Sequence, residues 1–362
     1  MLLIEVAAGL KKRGHVVIVV TFWDNNPLGS RLAEAGVPLE CLRTRGRLDI
    51  HSIIWRFLKS VRRFRPSVIY TILPASNLVA LTARLNMRDL KLIWGVSVAE
   101  FDLRPYRFLT RLSYWLTRKL ARLADLVISN SYAGGENAIR LGYPKAIMRV
   151  VPIGVDTGRY RPDPSARRRI RAEWRIADRE CLVGLIGRLD PQKDIPTFLA
   201  AATELAGSDD RLRFVIVGNG PQDYRAALMA RATQLGVGDR TLWIPARDDI
   251  DEVYNGLDLL VSSSVAEGSS VALIQAMACG TSVVATDVGD SALTVAGWGQ
   301  LAPVRNPAAL AEAIRCQLAR LASDGDAIAA GCRQHILENF STDALVSNTE
   351  ALMLSLFGVA GR

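Results

Sequence analysis

Histidine and cysteine are scarce in this chain, and neither is grouped. Its 362 residues include three histidines and five cysteines. The cysteines lack the close spacing of zinc ligands, and an odd number cannot all pair in disulfides. We therefore expect no metal and free thiols, as in a reducing cytoplasm. The cysteines are Cys41, Cys181, Cys279, Cys316 and Cys332.

Long apolar runs are also missing. None approaches the roughly 20 residues of a membrane-spanning helix, and the first residues lack the basic-then-apolar pattern of a secretory signal. No Walker loop and no Ser/His/Asp set is recognisable. These absences argue against an integral membrane protein, a P-loop nucleotidase and a serine hydrolase. We expect a cytoplasmic protein.

What the chain does contain is a repeating alternation of strand-like and helix-like segments. This pattern predicts α/β architecture with parallel sheets, and the length suits two domains. Residues 152–164, rich in Gly, Pro and Asp, are the expected linker. The predicted strands are Val16–Thr21, Val68–Ile72, Lys91–Trp94, Leu126–Ser129 and Arg149–Pro152, then Leu182–Ile186, Arg213–Val217, Thr241–Ile244, Leu257–Val261 and Ser282–Thr286.

The chain opens with a helical pattern where a strand is usual. Leu3, Val6, Ala7 and Leu10 recur at helical spacing and the pattern ends at Gly14. A doubly wound domain usually begins with a strand that becomes central. Its loss would leave two inner strands without a ladder partner. We expect either that the true start lies upstream or that this domain is damaged.

The net charge of +9 is concentrated in the first half. Three interpretations remain open: solvated helix faces, a surface for anionic lipid, which Arg beside aromatic residues favours, and nucleic acid, for which no motif is present. We expect no nucleic acid partner and leave peripheral membrane contact at the inner face open. One cluster is Arg43, Arg45, Arg47, Arg56, Lys59, Arg62, Arg63 and Arg65; the other is Arg104, Arg107, Arg111, Arg118, Lys119 and Arg122, among Phe101, Tyr106, Phe108, Tyr114 and Trp115.

The most informative segment is residues 257–287, which reads strand, loop, helix, turn, strand. Glu267 and Gly268 fall in the loop at the carboxyl end of a buried strand. Ser269 or Ser270 can cap the following helix. An acid and a helix amino terminus at the mouth of a parallel sheet form a ligand site.

Six segments of the chain occur in order and at suitable distances: residues 13–15, 124–131, 151–156, 187–193, 217–221 and 267–268. Together they resemble the group 1 family of retaining, GT-B-fold glycosyltransferases. The resemblance implies two Rossmann-like domains facing across a cleft, the first apparently without its first strand. We expect an acceptor-side domain at 1–155, a nucleotide-sugar-binding domain at 156–340 and a helix at 341–362 that crosses back.

The family implies catalytic roles for three residues. Arg188 and Lys193 would contact the donor diphosphate, whose negative charge grows as it leaves; fixed cations stabilise that charge without a metal. Glu267 would lie beside the transferred sugar. The alternative for Arg188 and Lys193 is that they are ordinary loop charges. The alternative for Glu267 is that it is an acid favoured at the start of a helix by the helix dipole.

Further donor contacts are implied around these residues. Gln275 stands where the family has a second glutamate that binds ribose, and an amide there would weaken donor binding by about 1–2 kcal/mol. The alternative is that Gln275 hydrogen-bonds a backbone group in the core. Asp194 stands where the family commonly has a glycine after the lysine. The Gly218-Asn219 turn could equally be structural. The expected donor-binding residues are Gly187, Gly218, Asn219, Arg247 through its backbone, Gly268, Ser269, Ser270, Val271 and Gln275.

The implied function is transfer of a sugar from a nucleoside-diphosphate sugar to an acceptor hydroxyl, in synthesis of cell-surface polysaccharide or lipid-linked glycan, without a cofactor. Two alternatives remain. One is a non-catalytic or impaired GT-B protein that acts as a nucleotide-sugar-binding or scaffold protein, suggested by Gln275 and the missing strand. The other is a sugar-nucleotide epimerase.

Overall fold

The computed structural model describes residues 2–23, 29–43, 49–85, 87–96 and 108–358. The chain divides into two compact units, Met1–Gly154 with Thr342–Arg362, and Val155–Ser341. Six residues of the basic and aromatic clusters lie outside the described residues. They are Arg45, Arg47, Phe101, Arg104, Tyr106 and Arg107.

Strands and helices alternate through the described part of the first unit. Its helices are α1 (Leu2–Lys12), α2 (Gly29–Glu34), α3 (Ile50–Phe64), α4 (Pro74–Arg84), α5 (Phe108–Leu120), α6 (Tyr132–Arg140) and α14 (Thr342–Ser355); its strands are β1 (Val19–Thr21), β2 (Leu39–Cys41), β3 (Val68–Ile72), β4 (Lys91–Val96), β5 (Leu126–Ser129) and β6 (Met148–Val150).

These strands form two separate parallel sheets. β1 pairs only with β2, and Val19 stands opposite Leu39. The second sheet has the order β3-β4-β5-β6. Among the described residues no strand joins the two sheets, which agrees with the interruption expected from the opening helix.

Helix α1 packs on both sheets. Ile4 belongs to the apolar cluster around Val19 of β1, whereas Val6 belongs to the cluster around Ile93 of β4. A Cβ added at Gly9 would lie 2.3 Å from the Val346 side chain, so glycine lets α14 pack closely against α1.

The second unit is a six-stranded parallel sheet between helices. The sheet order β12-β11-β10-β7-β8-β9 is the doubly wound order 6-5-4-1-2-3. Its core is made of buried apolar side chains such as Phe198 and Phe214. The elements are α7 (Pro164–Glu173), β7 (Cys181–Ile186), α8 (Ile195–Ala206), β8 (Leu212–Val217), α9 (Gln222–Gln234), β9 (Thr241–Ile244), α10 (Ile250–Gly256), β10 (Leu259–Ser262), α11 (Val271–Ala278), β11 (Ser282–Thr286), α12 (Ser291–Val295), β12 (Gln300–Ala302) and α13 (Pro307–Asn339).

All ten predicted strands are present, and the differences are at short or exposed segments. The prediction that the first strand begins at Val16 is wrong: β1 begins at Val19, and Val16 is 97% exposed. The three-residue strands β2 and β12 were not predicted, because three residues are too few to show an alternating pattern.

An ion-pair cluster fixes α14 to the turn after α1. Glu350 accepts hydrogen bonds from Arg13 and His15, each at 2.6 Å. The hydrogen bond from His15 and, to a smaller extent, that from Arg13 lower the pKa of Glu350. A carboxyl group whose pKa is lower in the folded state stabilises the fold above its unfolded pKa, and this stabilisation is lost as the pH falls through the folded pKa.

We predict that Glu350→Gln lowers the free energy of unfolding at pH 7 by no more than about 1 kcal/mol. The difference from the wild type should shrink as the pH falls below the unfolded glutamate pKa of about 4.3, and it should vanish once the carboxyl group is protonated in the folded state too. Urea unfolding at several pH values checks this, with the exposed Glu34→Gln as control. An equal loss at pH 7 and pH 3 would contradict the ionic origin of the effect.

Candidate functional site

The two loops that carry the predicted catalytic residues are neighbours because their strands are neighbours. β7 pairs with β10 and with β8. Strand order reverses between β7 and β10, and ligands of doubly wound sheets bind at the carboxyl ends of the strands at this switch point. Residues 187–193 follow β7, and residues 263–270 follow β10.

Hydrogen bonds tie the two loops together. The Val265 backbone N–H donates to the Gln192 carbonyl at 2.9 Å, and the Gln192 side-chain amide donates to the Ala266 carbonyl at 2.5 Å. The Ser263 hydroxyl donates to the Lys193 carbonyl at 2.8 Å. The backbones that present Lys193 and Glu267 are thus fixed to each other.

Lys193 and Glu267 form an ion pair within this site. The Lys193 Nζ contacts Oε1 of Glu267, and their side chains are 19% and 12% exposed. The Ser264 hydroxyl donates to the same oxygen at 2.8 Å. The site therefore holds a cation and a carboxylate side by side, which suits binding of an anionic group next to a polyhydroxyl group.

Arg188 lies in the same loop with a different environment. Its side chain is 75% exposed, and its one ion pair among the described residues is with Asp190 at 3.5 Å. The guanidinium group is therefore free to turn toward a ligand, whereas Lys193 is already held.

Asp194 explains why the family's common glycine is not needed here. Its φ of 43° is in the left-handed region, which aspartate tolerates better than most residues. The Thr197 hydroxyl donates to its carboxylate at 2.7 Å. The local backbone that glycine would permit is therefore kept.

The Gly218-Asn219 turn braces the loop after β7. A Cβ at Gly218 would lie 1.8 Å from the Gly187 carbonyl oxygen. The Asn219 carbonyl accepts from the Leu189 N–H at 2.8 Å, and its side chain accepts from the Ala246 N–H at 3.0 Å. The turn thus has a clear structural task, and its contact with a donor remains a prediction.

The loop after Glu267 packs against the segment at Gly289 and Asp290. The Gly268 carbonyl accepts from the Asp290 N–H at 2.9 Å, and a Cβ at Gly289 would lie 2.2 Å from the Glu267 carbonyl oxygen. This approach requires glycine at 289, and α11 starts at Val271, four residues after Glu267.

The predicted side-chain cap of α11 is not made. Ser270 occupies the N-cap position without a side-chain cap hydrogen bond. The hydroxyl oxygens of Ser269 and Ser270 are buried, and within the described part of the chain they have no hydrogen-bond partner. The expectation that one of them caps α11 is therefore wrong.

The Arg247 side chain is committed to two carboxylates. It donates to Asp249 at 2.6 and 2.8 Å and to Glu173 at 3.1 Å. The hydrogen bonds to Asp249 and Glu173 raise the pKa of Arg247. Any contact with a ligand would fall to its backbone, as the sequence led us to expect.

Gln275 is turned toward a buried tyrosine. Its side-chain oxygen accepts from the Tyr254 hydroxyl at 3.0 Å, and the two residues are 7% and 1% exposed. Burial raises the pKa of Tyr254 well above its usual value. Gln275 therefore has the core partner that its apolar helix suggested.

Several residues that hold the site were not identified from the sequence. Ser264, Gln192 and Gly289 act through contacts between loops that are distant along the chain. The one available signal was the serine run directly after the apolar strand β10.

Two further searches concern the described residues only. No group of three or more His, Cys, Asp or Glu residues in them could hold a metal ion. None of their helices combines the length and the apolar character needed to cross a membrane.

The doubly wound second unit and its charged switch point define the class of proteins that bind nucleotides in such crevices. The model of the family "Glycosyl transferases group 1" matches residues 180–320, and that of the "Glycosyl transferase 4-like domain" matches residues 4–154. The chain belongs to the group 1 family of glycosyltransferases, and it has the GT-B fold with two Rossmann-like domains.

Curated relatives are similar over part of their length. The D-inositol 3-phosphate glycosyltransferase of Segniliparus rotundus is 36% identical over 151 residues, which are 41% of this chain and 33% of that protein. The protein of the same name from Salinispora arenicola is 31% identical over 256 residues, 66% of this chain and 55% of that protein. The match thus spans a third to about half of these relatives.

Solved structures share the fold over nearly the whole chain. Anabaena Alr3699/HepE in complex with UDP has a TM-score of 0.84 and 23% identity, and the match covers 98% of this chain and 95% of that one. A glycosyltransferase from Rickettsia africae has a TM-score of 0.84 and 16% identity, with 98% and 93% covered. At these identities the likeness concerns the fold alone.

We predict that Gly218→Ala destabilises the protein by about 3 kcal/mol, because the new Cβ meets a backbone carbonyl that cannot move alone. Gly207→Ala is the control: its φ is −69° and its Cβ would have an ordinary contact at 3.5 Å, so we expect a gain of about 0.5 kcal/mol. Urea unfolding measures both. Equal stabilities would mean that the turn does not brace the loop.

Proposed function

We propose that this protein is a retaining glycosyltransferase that moves a sugar from a nucleoside-diphosphate sugar to an acceptor hydroxyl. The observation that carries the proposal is the Lys193–Glu267 pair at the switch point between β7 and β10. The pair holds a cation and a carboxylate side by side at the carboxyl ends of one sheet, which supports binding of a diphosphate next to a sugar.

Each residue has a task in this chemistry. Lys193 and the exposed guanidinium group of Arg188 balance the negative charge that grows on the leaving diphosphate. The amino end of α11 adds backbone N–H donors for the same group. Glu267 accepts hydrogen bonds from sugar hydroxyls and stabilises positive charge near the anomeric carbon. The acceptor oxygen bonds to the anomeric carbon on the face from which the diphosphate leaves, and its proton passes to the leaving phosphate oxygen, so the anomeric configuration is kept.

The relatives suggest which substrates to try first. The HepE structures are complexes with UDP and with UDP-glucose, and the curated relatives are named for D-inositol 3-phosphate. We propose a uridine diphosphate sugar as donor. For the acceptor we favour a membrane-associated glycan or lipid-linked intermediate, as in cell-surface polysaccharide synthesis, because of the surface of the first unit.

That surface carries two helical stripes of alternating aromatic and basic residues. On α3, exposed Trp55 and Lys59 are one turn apart, and the Lys59 Nζ lies 5.4 Å from the Trp55 ring centre. On α5, exposed Phe108, Arg111 and Trp115 are spaced by three and four residues. Both helices pack against α4.

Charge favours an anionic partner for these stripes. Residues 1–154 contain 24 Lys and Arg against 10 Asp and Glu. Indole and phenyl rings beside cations suit the interface of an anionic bilayer. We propose that the first unit binds such a membrane peripherally and so meets a lipid-linked acceptor.

A second candidate function is a non-catalytic protein that binds nucleotide sugars. It is favoured by Gln275, which has no carboxylate and whose oxygen is occupied by Tyr254. The two functions differ in turnover, which the following experiment measures.

We predict that the purified protein releases UDP from a UDP-sugar when a membrane lipid extract or D-inositol 3-phosphate is added, and that Glu267→Ala lowers this release by at least about 100-fold. The variant should still bind UDP, because Lys193 and Arg188 remain. Mass spectrometry follows release from a panel of UDP, GDP and ADP sugars, and NMR of the product gives the anomeric configuration.

Three results would each contradict part of this proposal. Binding of a nucleotide sugar without release, in folded wild type, would favour the non-catalytic candidate. Full activity of Glu267→Ala would remove the role assigned to that carboxylate. Release with inversion at the anomeric carbon would overturn only the retaining mechanism.

We predict that the protein binds vesicles with phosphatidylglycerol but not pure phosphatidylcholine, and that binding weakens with salt. Trp55→Ala with Trp115→Ala should reduce binding about 10-fold or more, because two interfacial rings are lost. Co-sedimentation measures this, with Met229→Ala, another exposed apolar residue, as control. Equal binding of the double variant and the wild type would exclude these helices as the contact.

A further inference from the structure

Glu267 has two partners, and both use the same oxygen. Lys193 Nζ contacts Oε1, and the Ser264 hydroxyl donates to Oε1 at 2.8 Å. Within the described part of the chain, no hydrogen bond is made to Oε2. The carboxylate is therefore anchored through one oxygen and offers the other to a ligand.

The two contacts to Glu267 differ in how easily a ligand can displace them. Lys193 is a flexible cation, and a diphosphate that arrives at the site competes with Glu267 for it, because an ammonium group binds whichever anion offers more charge. Ser264 has no such alternative: it is completely buried, and the one side-chain hydrogen bond that it makes within the described residues is to Glu267.

The backbone of Ser264 is itself fixed. The Thr286 hydroxyl, at the end of the neighbouring strand β11, donates to the Ser264 carbonyl at 2.5 Å. Thr286 is 1% exposed. The hydroxyl of Ser264 is thus carried on a rigid part of the sheet, whereas Lys193 carries its charge on a long side chain.

We propose that Ser264 is a positioning residue, which keeps Glu267 in place when the donor draws Lys193 away. The inference rests on the proposed function. In the loaded site Ser264 becomes the remaining anchor of Oε1, so that Oε2 stays directed at the sugar. A carboxylate without this anchor samples other rotamers, and misplacement of about 1 Å can cost about 100-fold in rate.

The test separates binding from turnover. Ser264→Ala should lower kcat about 10-fold to 100-fold, while the KM for the donor and the affinity for UDP, measured by calorimetry, stay within about twofold. Binding is spared because the variant keeps Lys193, which contacts the diphosphate in the proposed complex.

A matched control excludes a general loss of stability. Ser282→Ala removes an equally small buried hydroxyl at the other end of the sheet, where Ser282 accepts from the Gln317 amide at 2.7 Å. It should lower the melting temperature as much as Ser264→Ala does, with kcat unchanged.

The outcomes are distinct. If the wild type transfers sugar and Ser264→Ala keeps its kcat within twofold, Ser264 does not position Glu267, and the proposed function stands. If Ser264→Ala loses UDP affinity and kcat together, Ser264 shapes the donor site as a whole and the inference is wrong. If the wild type transfers no sugar, the proposed function itself fails.

Discussion

The pairing of β7 with β10 is the constraint on which the candidate site depends. Strands adjacent in a parallel sheet bring their carboxyl ends together, whatever their distance along the chain. Lys193 and Glu267 are 74 residues apart in sequence and form an ion pair. Every hydrogen bond between the two loops, and the burial that strengthens the pair, follows from that one adjacency.

The same adjacency determines what a ligand must supply to replace the ion pair. A cation and a carboxylate that neutralise each other avoid the cost of an unpaired buried charge. A ligand must then offer Lys193 a better anion and Glu267 a better set of donors at the same time. A nucleoside-diphosphate sugar joins both in one molecule, whereas free phosphate or free sugar offers only one of them.

The sequence predicted the elements well and the contacts between them poorly. Strands such as Val68–Ile72 and Ser282–Thr286 were predicted to the residue, because buried parallel strands are short apolar runs between turn signals. The residues at the switch point followed from the order of motifs. The partners of those residues did not: Tyr254 holds Gln275 across 21 positions, and Arg247 meets Glu173 across 74. Such pairs are set by tertiary packing, which leaves no local pattern.

Helix α1 influences how the first unit unfolds in part. A sheet of two three-residue strands has little stability of its own, so β1 depends on packing with Ile4 and Ala7 of α1 through Val19 and on the cluster around Phe57 through Val20. The same helix covers the β3–β6 sheet through Val6 and Leu10. Detachment of α1 would expose both sheets in one step, which makes the helix, β1 and β2 a single cooperative unit of partial unfolding.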